Sequence, residues 1–140
     1  MYLGSVSEAE QDANVGLYPR AVSAREEDVL DFMLRVDDSR VDPLRRQRES
    51  VLVTGMCSCG CASIYLAVDR EHATAADLCT QPIEADLTNA ARELIGPREA
   101  FGLLLFLEDG WLNKLEIWWI DKPPPEFPPT SRFERPQQTC

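Results

Sequence analysis

Two periodicities divide the chain. In "SAREEDVLDFMLRV", Val29, Phe32, Met33 and Val36 recur at spacings of three and four, which predicts a helix over 24–36 with one core-facing stripe. Ser23 and Glu26 stand in the S-x-x-E relation of a capping box. Glu26, Glu27 and Asp28 add negative charge where the helix dipole favours it. "DDSR" interrupts the pattern. "DPLRRQRES" then restarts it as a short, charged helix, with Asp42 as N-cap and Pro43 at the first helical position.

From Val51 onward the period falls to two. "SVLVTGMCSCGCASIYLAVD" carries two β-rich runs around Ser58-Cys59-Gly60, which predicts a hairpin with a three-residue loop ending in a left-handed glycine. That loop sets Cys57 against Cys61, Thr54 against Ile64 and Leu52 against Leu66, so that one face carries the apolar set Leu52, Met56, Ile64, Leu66 and Val68 and the other carries Val51, Val53, Tyr65 and the two flanking cysteines. A second hairpin is predicted in "AFGLLLFLEDGWLNKLEIWWID". There a two-residue loop would oppose Leu105 and Lys114, mixing core with charge. A three-residue loop, Glu108-Asp109-Gly110, pairs Leu103 with Leu115 and Phe101 with Ile117. It gathers Phe101, Leu103, Leu105, Leu107, Trp111, Leu115, Ile117 and Trp119 on one face. A slip of one residue would reverse the faces, so the three-residue loop is the expectation. Gly102 within the strand suggests a bulge or a close backbone approach.

Elsewhere the pattern is weaker. "PIEAD" reads as a short strand and "NAARELIG" as a helix stopped by Gly96-Pro97. Residues 1–22 read as a flexible leader, 23–122 as a single domain and 123–140 as a proline-rich tail. The expected class is α+β: an antiparallel sheet of four to five strands, built from two hairpins, with N-terminal helices packed on it.

Charge narrows the partners. A formal net charge of −10 over 140 residues repels polyanions, so nucleic acid and acidic membranes are disfavoured and a basic protein surface is the natural complement. The apolar run "FGLLLFL" is too short to span a bilayer. "MYLGSVSEAEQDANVG" has neither a charged n-region nor an apolar h-region, so the expected address is cytoplasmic. Oligomeric state is not fixed by these features.

The candidate chemistry lies in "GMCSCGCAS", where Cys57, Cys59 and Cys61 alternate within five residues. In a straight strand such side chains share a face but stand about 7 Å apart, too far to close on one ion. Gly60 permits the curl that would bring them together. Zn²⁺ would want a fourth ligand, and the candidates are Cys79 and His72, the sole histidine. Cu⁺ accepts two or three thiolates and fits the motif better. Two other readings stand beside metal. Cys57 and Cys61 would flank the loop at a separation a disulfide can bridge. Alternatively, the cysteines pack as small apolar residues. His72 could also act as a base for Cys79. No glycine-rich phosphate loop, nucleophile elbow or HExxH pattern is present. Among the aromatics, Trp118, Trp111 and Phe127 are candidate partner-binding anchors, with the alternative that the tail folds back and lays Phe127 on the sheet over Trp118.

The order "AREEDVLDFML", "VTGMCSCGCASIYLAVD", "GLLLFLEDGWLNKLEIWW" and "EFPP" resembles a family of short uncharacterised proteins from high-GC Gram-positive bacteria. The C-x-C-G-C turn and the Asp-Gly hairpin carry the resemblance. In that family a proline often follows the last cysteine, where this chain has Ala62. The resemblance implies no particular activity. Taken together, the sequence favours a non-catalytic, immunity- or adaptor-like acidic protein that binds a basic partner. The alternative is an accessory protein that holds Zn²⁺ or Cu⁺ in the CSCGC turn, and thiol chemistry stands as a third course.

Overall fold

A computed structural model describes residues 17–95 and 100–138. Its elements run α1 (Ala24–Met33), α2 (Asp42–Gln47), β1 (Leu52–Met56), β2 (Ile64–Ala67), β3 (Ile83–Asp86), α3 (Asn89–Ile95), β4 (Phe101–Glu108) and β5 (Trp111–Trp119). The strands form one antiparallel sheet in the order β1-β2-β5-β4-β3. The protein is thus α+β, with the β1–β2 and β4–β5 hairpins joined side by side through β2 and β5. The predicted strand at "PIEAD" is β3 and the predicted helix at "NAARELIG" is α3; its glycine-proline stop falls outside the described residues.

The helices α1 and α2 lie on one face of the sheet. Val29, Leu30 and Met33 of α1 and Leu44 of α2 enter a single buried cluster with Ile64, Leu103, Leu105, Leu115 and Ile117. The predicted stripe of α1 is therefore the packing face, although the helix stops at Met33 rather than Val36. At α2 the N-cap is Val41, without a side-chain hydrogen bond, because a 3-10 turn over Ser39–Val41 runs directly into the helix.

Both hairpins differ from expectation in register. In β4–β5 the turn is the two-residue Asp109-Gly110, both with positive φ (52° and 85°), closed by the pair Glu108–Trp111. Such a turn suits the strand twist. A bulge beside Phe106 and Leu107 then supplies the extra residue that the longer loop was expected to supply. Leu105 consequently opposes Leu115, and Leu103 opposes Ile117, all four buried. The expected apolar face is realised, except that Leu112 takes the interior place assigned to Trp111. In β1–β2 the pairs are Leu52–Ala67, Val53–Leu66, Gly55–Tyr65 and Met56–Ile64, with a register shift between Val53 and Gly55. Val53 is buried and Leu52 is 41% exposed, the reverse of the expected inward Leu52. The connection here is the longer segment 57–63. The close approach expected at Gly102 is present: a Cβ there would lie 2.3 Å from Trp118 Nε1.

The described residues that flank the predicted domain, 17–22 and 123–138, belong to the fold. Phe127 and Phe133 are buried, and Gln137 and Phe133 bridge to Glu84 and Leu87 along the outer edge of β3. At the opposite edge Arg20 exchanges both backbone hydrogen bonds with Val53 of β1, at 3.0 and 2.8 Å. Both sheet edges are thereby covered, which protects them from pairing with other chains.

Glu26 ties the Arg20 edge to α1. Its carboxylate accepts from both Arg20 terminal nitrogens at 2.9 Å and from the Ser23 amide at 2.9 Å, while Ser23 Oγ accepts from the Glu26 amide. Burial is the largest single influence on this carboxyl and pushes its pKa up. The Arg20 and Ser23 hydrogen bonds and the Arg20 charge outweigh it and hold the group below the ordinary value of 4.5. The folded form therefore releases this proton more readily than the unfolded chain. The stabilisation is complete above 4.5 and is lost as pH falls through the lower folded value. Glu26→Gln should cost about 2 kcal/mol at pH 7. Urea melts of the two proteins should converge as pH falls below 4.5 and through the lower folded value, and a gap that stays the same across that fall would contradict the assignment.

A candidate thiol metal centre

The site is the 57–63 connection between β1 and β2. Cys57 N donates to Ser63 O at 3.0 Å and closes the loop. Gly60, with φ +94° and no atom near its missing Cβ, lets the chain curl back. Past the turn the chain dives inward: Cys61 is 3% exposed and Ala62 and Ser63 are buried. Cys57 is half-buried and Cys59 exposed.

This curl gathers what an extended strand would separate. The three cysteines are free thiols whose sulfur atoms all lie within 4.8 Å of one another. Cys57 Sγ and Cys59 Sγ are 3.0 Å apart, and the Cys61 amide points at Cys59 Sγ at 3.4 Å. With metal–sulfur bonds of about 2.3 Å, thiolates around one ion stand about 3.8 Å apart. Reaching that arrangement needs the Cys57–Cys59 contact to open by about 0.8 Å, with Cys61 already within 4.8 Å of both sulfurs.

Ser63 anchors the cluster to the sheet. Its buried hydroxyl accepts from Ile117 N at 2.9 Å, lies 3.4 Å from Ile117 O and receives the Cys61 thiol at 3.3 Å. β2 pairs with β5 only through Ile64–Leu115 and Tyr65–Lys114, so the Ser63 side chain continues the ladder where the backbones part. Ligands held this way by an outer hydrogen bond keep their orientation.

β5 also brings a cation. Lys114 Nζ bonds Glu116 Oε1 at 2.7 Å and stands 5.1 Å from the Tyr65 ring centre. Its pKa is raised, chiefly by the Glu116 hydrogen bond, against the opposing pull of burial; charges on Glu116, Tyr65 and Cys57 add to the rise. The ammonium is thus within electrostatic reach of Cys57. The motif itself contains no lysine or arginine, and this neighbour comes from residues more than fifty positions away.

The other predicted residues lie elsewhere. His72 is exposed and its Nδ1 bonds Asp69 Oδ2 at 2.5 Å. The sulfur of Cys79 is committed to a disulfide, and its carbonyl accepts from Gln138 Nε2 at 3.5 Å. Neither joins the three-sulfur group, so among the described residues the expected fourth ligand is not brought to the site. Trp111 is half-buried beneath the Arg70 guanidinium, 4.9 Å from its ring. Trp118 lies over Gly102 and walls a cavity of about 550 Å³ with Leu87, Arg92 and Phe101. Phe127 is 1% exposed, in the cluster with α1, and Arg25 of that helix holds its carbonyl at 2.5 Å. It is a core residue and not an exposed anchor, because apolar burial in the cluster with α1 is its stronger option.

Fold and site together define an antiparallel α+β domain that carries a three-thiol cluster on a hairpin connection. No helix among the described residues is long and apolar enough to cross a membrane. No known protein family, curated protein or solved structure matches the chain.

Proposed function

We propose that the chain binds a soft metal ion through Cys57, Cys59 and Cys61. The observation that carries this reading is the convergence of three free sulfurs within 4.8 Å on one short loop. Cu⁺ suits the group best, because three thiolates complete its coordination, whereas Zn²⁺ seeks a fourth ligand. Exposed Cys59 gives the ion a route in and out, and buried Cys61, fixed by Ser63, gives the site its anchor.

The test is elemental analysis of protein prepared under reducing conditions without chelators, followed by titration with Cu⁺ and Zn²⁺. One equivalent of bound metal is expected. Each single cysteine-to-serine change should weaken Cu⁺ binding by roughly 100-fold or more, the scale seen when even supporting groups of metal sites are removed. Uptake that is equal in the wild type and the Cys57→Ser/Cys59→Ser/Cys61→Ser protein would refute the assignment.

A second reading, that of an acidic module for a basic protein partner, draws on the net charge of −10 and on the sheet surface away from α1. Tyr65 and Leu52 are exposed there. Trp118 follows the same strand alternation, with Lys114 and Glu116. Kinship with the Gram-positive family belongs to this reading. Metal stoichiometry separates the two, because a partner held by this surface is indifferent to the loss of the three thiols.

A further inference from the structure

The three thiols are not equivalent. Cys59 is exposed, Cys57 is half-buried, and their sulfurs are 3.0 Å apart. Cys61 is 3% exposed and its sulfur is held by Ser63 Oγ at 3.3 Å. A disulfide bond is about 2.05 Å long, so Cys57 and Cys59 need to close by about 1 Å to bond. Cys61 would have to leave its buried hydrogen bond and swing outward to do the same. The curl at Gly60 that assembles a metal site therefore also assembles a dithiol, and it does so with one member facing solvent and one set just behind it.

We infer that Cys59 and Cys57 are a thiol–disulfide exchange pair for low-molecular-weight disulfides, with Cys59 as the attacking thiol, Cys57 as the resolving thiol and Cys61 as a bystander. In the first step the Cys59 thiolate attacks one sulfur of a small disulfide, RSSR. A Cys59 Sγ–SR bond forms, the S–S bond of the reagent breaks, and RS⁻ leaves and takes a proton from water. In the second step the Cys57 thiolate attacks Cys59 Sγ, the mixed disulfide breaks, and the second RS⁻ leaves and is protonated. Two protein thiols are oxidised to one disulfide, and one RSSR is reduced to two RSH. The exchange stands independently of the metal reading. One consequence does rest on that reading: closing the pair leaves a single thiolate, so oxidation would release the ion.

The experiment uses the full chain, freed of metal and kept in chelator, with oxidised glutathione as the probe and peptide mapping by mass spectrometry after alkylation. The wild type should lose two hydrogens, show a Cys57–Cys59 linkage and keep Cys61 as a thiol. Cys57→Ser should stop at glutathione bound to Cys59. Cys59→Ser should react at least ten-fold more slowly, and Cys61→Ser should still form the Cys57–Cys59 linkage. Glutathione that accumulates on wild-type Cys59 without closure would overturn the pairing, and so would a linkage that includes Cys61 or an absence of reaction. Because chelator excludes metal throughout, failure of exchange and failure of metal binding are read in separate experiments.

Discussion

Gly110→Ala is expected to lower the unfolding free energy by about 4 kcal/mol, the range reached only by a few mechanisms of damage. Gly110 has φ +85° in the Asp-Gly turn, and a Cβ there would fall 2.2 Å from Ala76 O and 2.8 Å from Ala76 N. The obstacle is backbone, so no rotamer change relieves it. The segment around Ala76 would have to withdraw, giving up its amide bond to Gly110 O at 2.9 Å. Left-handed backbone alone adds about 1 kcal/mol for a residue with a Cβ. Gly60→Ala is the internal control: φ is +94°, but nothing lies within 4 Å of the added atom. That change should cost only the conformational share, about 1 kcal/mol. Urea melts of both variants check the contrast, and equal losses would show that crowding at Ala76 is not the cause.

Gln47→Leu should cost about 3 kcal/mol, although it places an apolar residue at a fully buried site. Gln47 Nε2 donates to Thr74 O at 2.8 Å and to Gly110 O at 2.9 Å, and its Oε1 accepts from Leu112 N at 2.9 Å. One side chain at the end of α2 thus joins the helix, the 74–76 segment and the β4–β5 turn. Leucine leaves the Leu112 amide without its acceptor in the interior and removes a donor from each carbonyl. Gln47→Glu should be worse, because a carboxylate would face the same two carbonyls. The effects of changes at Gln47 and Gly110 should fall short of additivity, since both act on the Gly110 carbonyl. A Gln47→Leu midpoint within 1 kcal/mol of the wild type in a denaturant melt would mean that water or a shifted backbone replaces the amide.

Part of this junction was visible in the chain. Asp109-Gly110 marks a turn, and the alternation around it puts Leu103, Leu105, Leu115 and Ile117 on one face. Beyond the bulge the faces came out correctly while the loop length did not, because a three-residue loop and a two-residue turn with one bulge differ in pairing by an even number. Parity decides which side is buried, and register does not show in parity. The same logic failed at β1–β2. There the 57–63 segment forms the loop, and the Val53–Gly55 irregularity exchanges the expected roles of Leu52 and Val53. Gln47 carried no signal at all: in "RRQRES" it reads as one more polar residue on a charged helix.

The candidate site divides in the same manner. Cys57, Cys59 and Cys61 could be named from their spacing, and Gly60 from its place between them. Ser63 and Lys114 could not, since each matters through β5: one by bonding Ile117, the other by standing over Tyr65. His72 and Cys79 were attractive only because their elements suit metal. Distance along the chain says nothing of their distance from the loop.

By itself the sequence determined what local chemistry determines: the capping box at Ser23 and Glu26, the inward stripe of α1, the glycine turns and the three-cysteine run. Each is set by residues within a few positions of one another, where geometry is nearly independent of the rest of the chain. Only the tertiary structure decided the strand order, the burial of Phe127, the graded exposure of the three sulfurs and the company of Ser63 and Lys114. These depend on which distant surfaces exclude water together, and that is a property of the packed molecule.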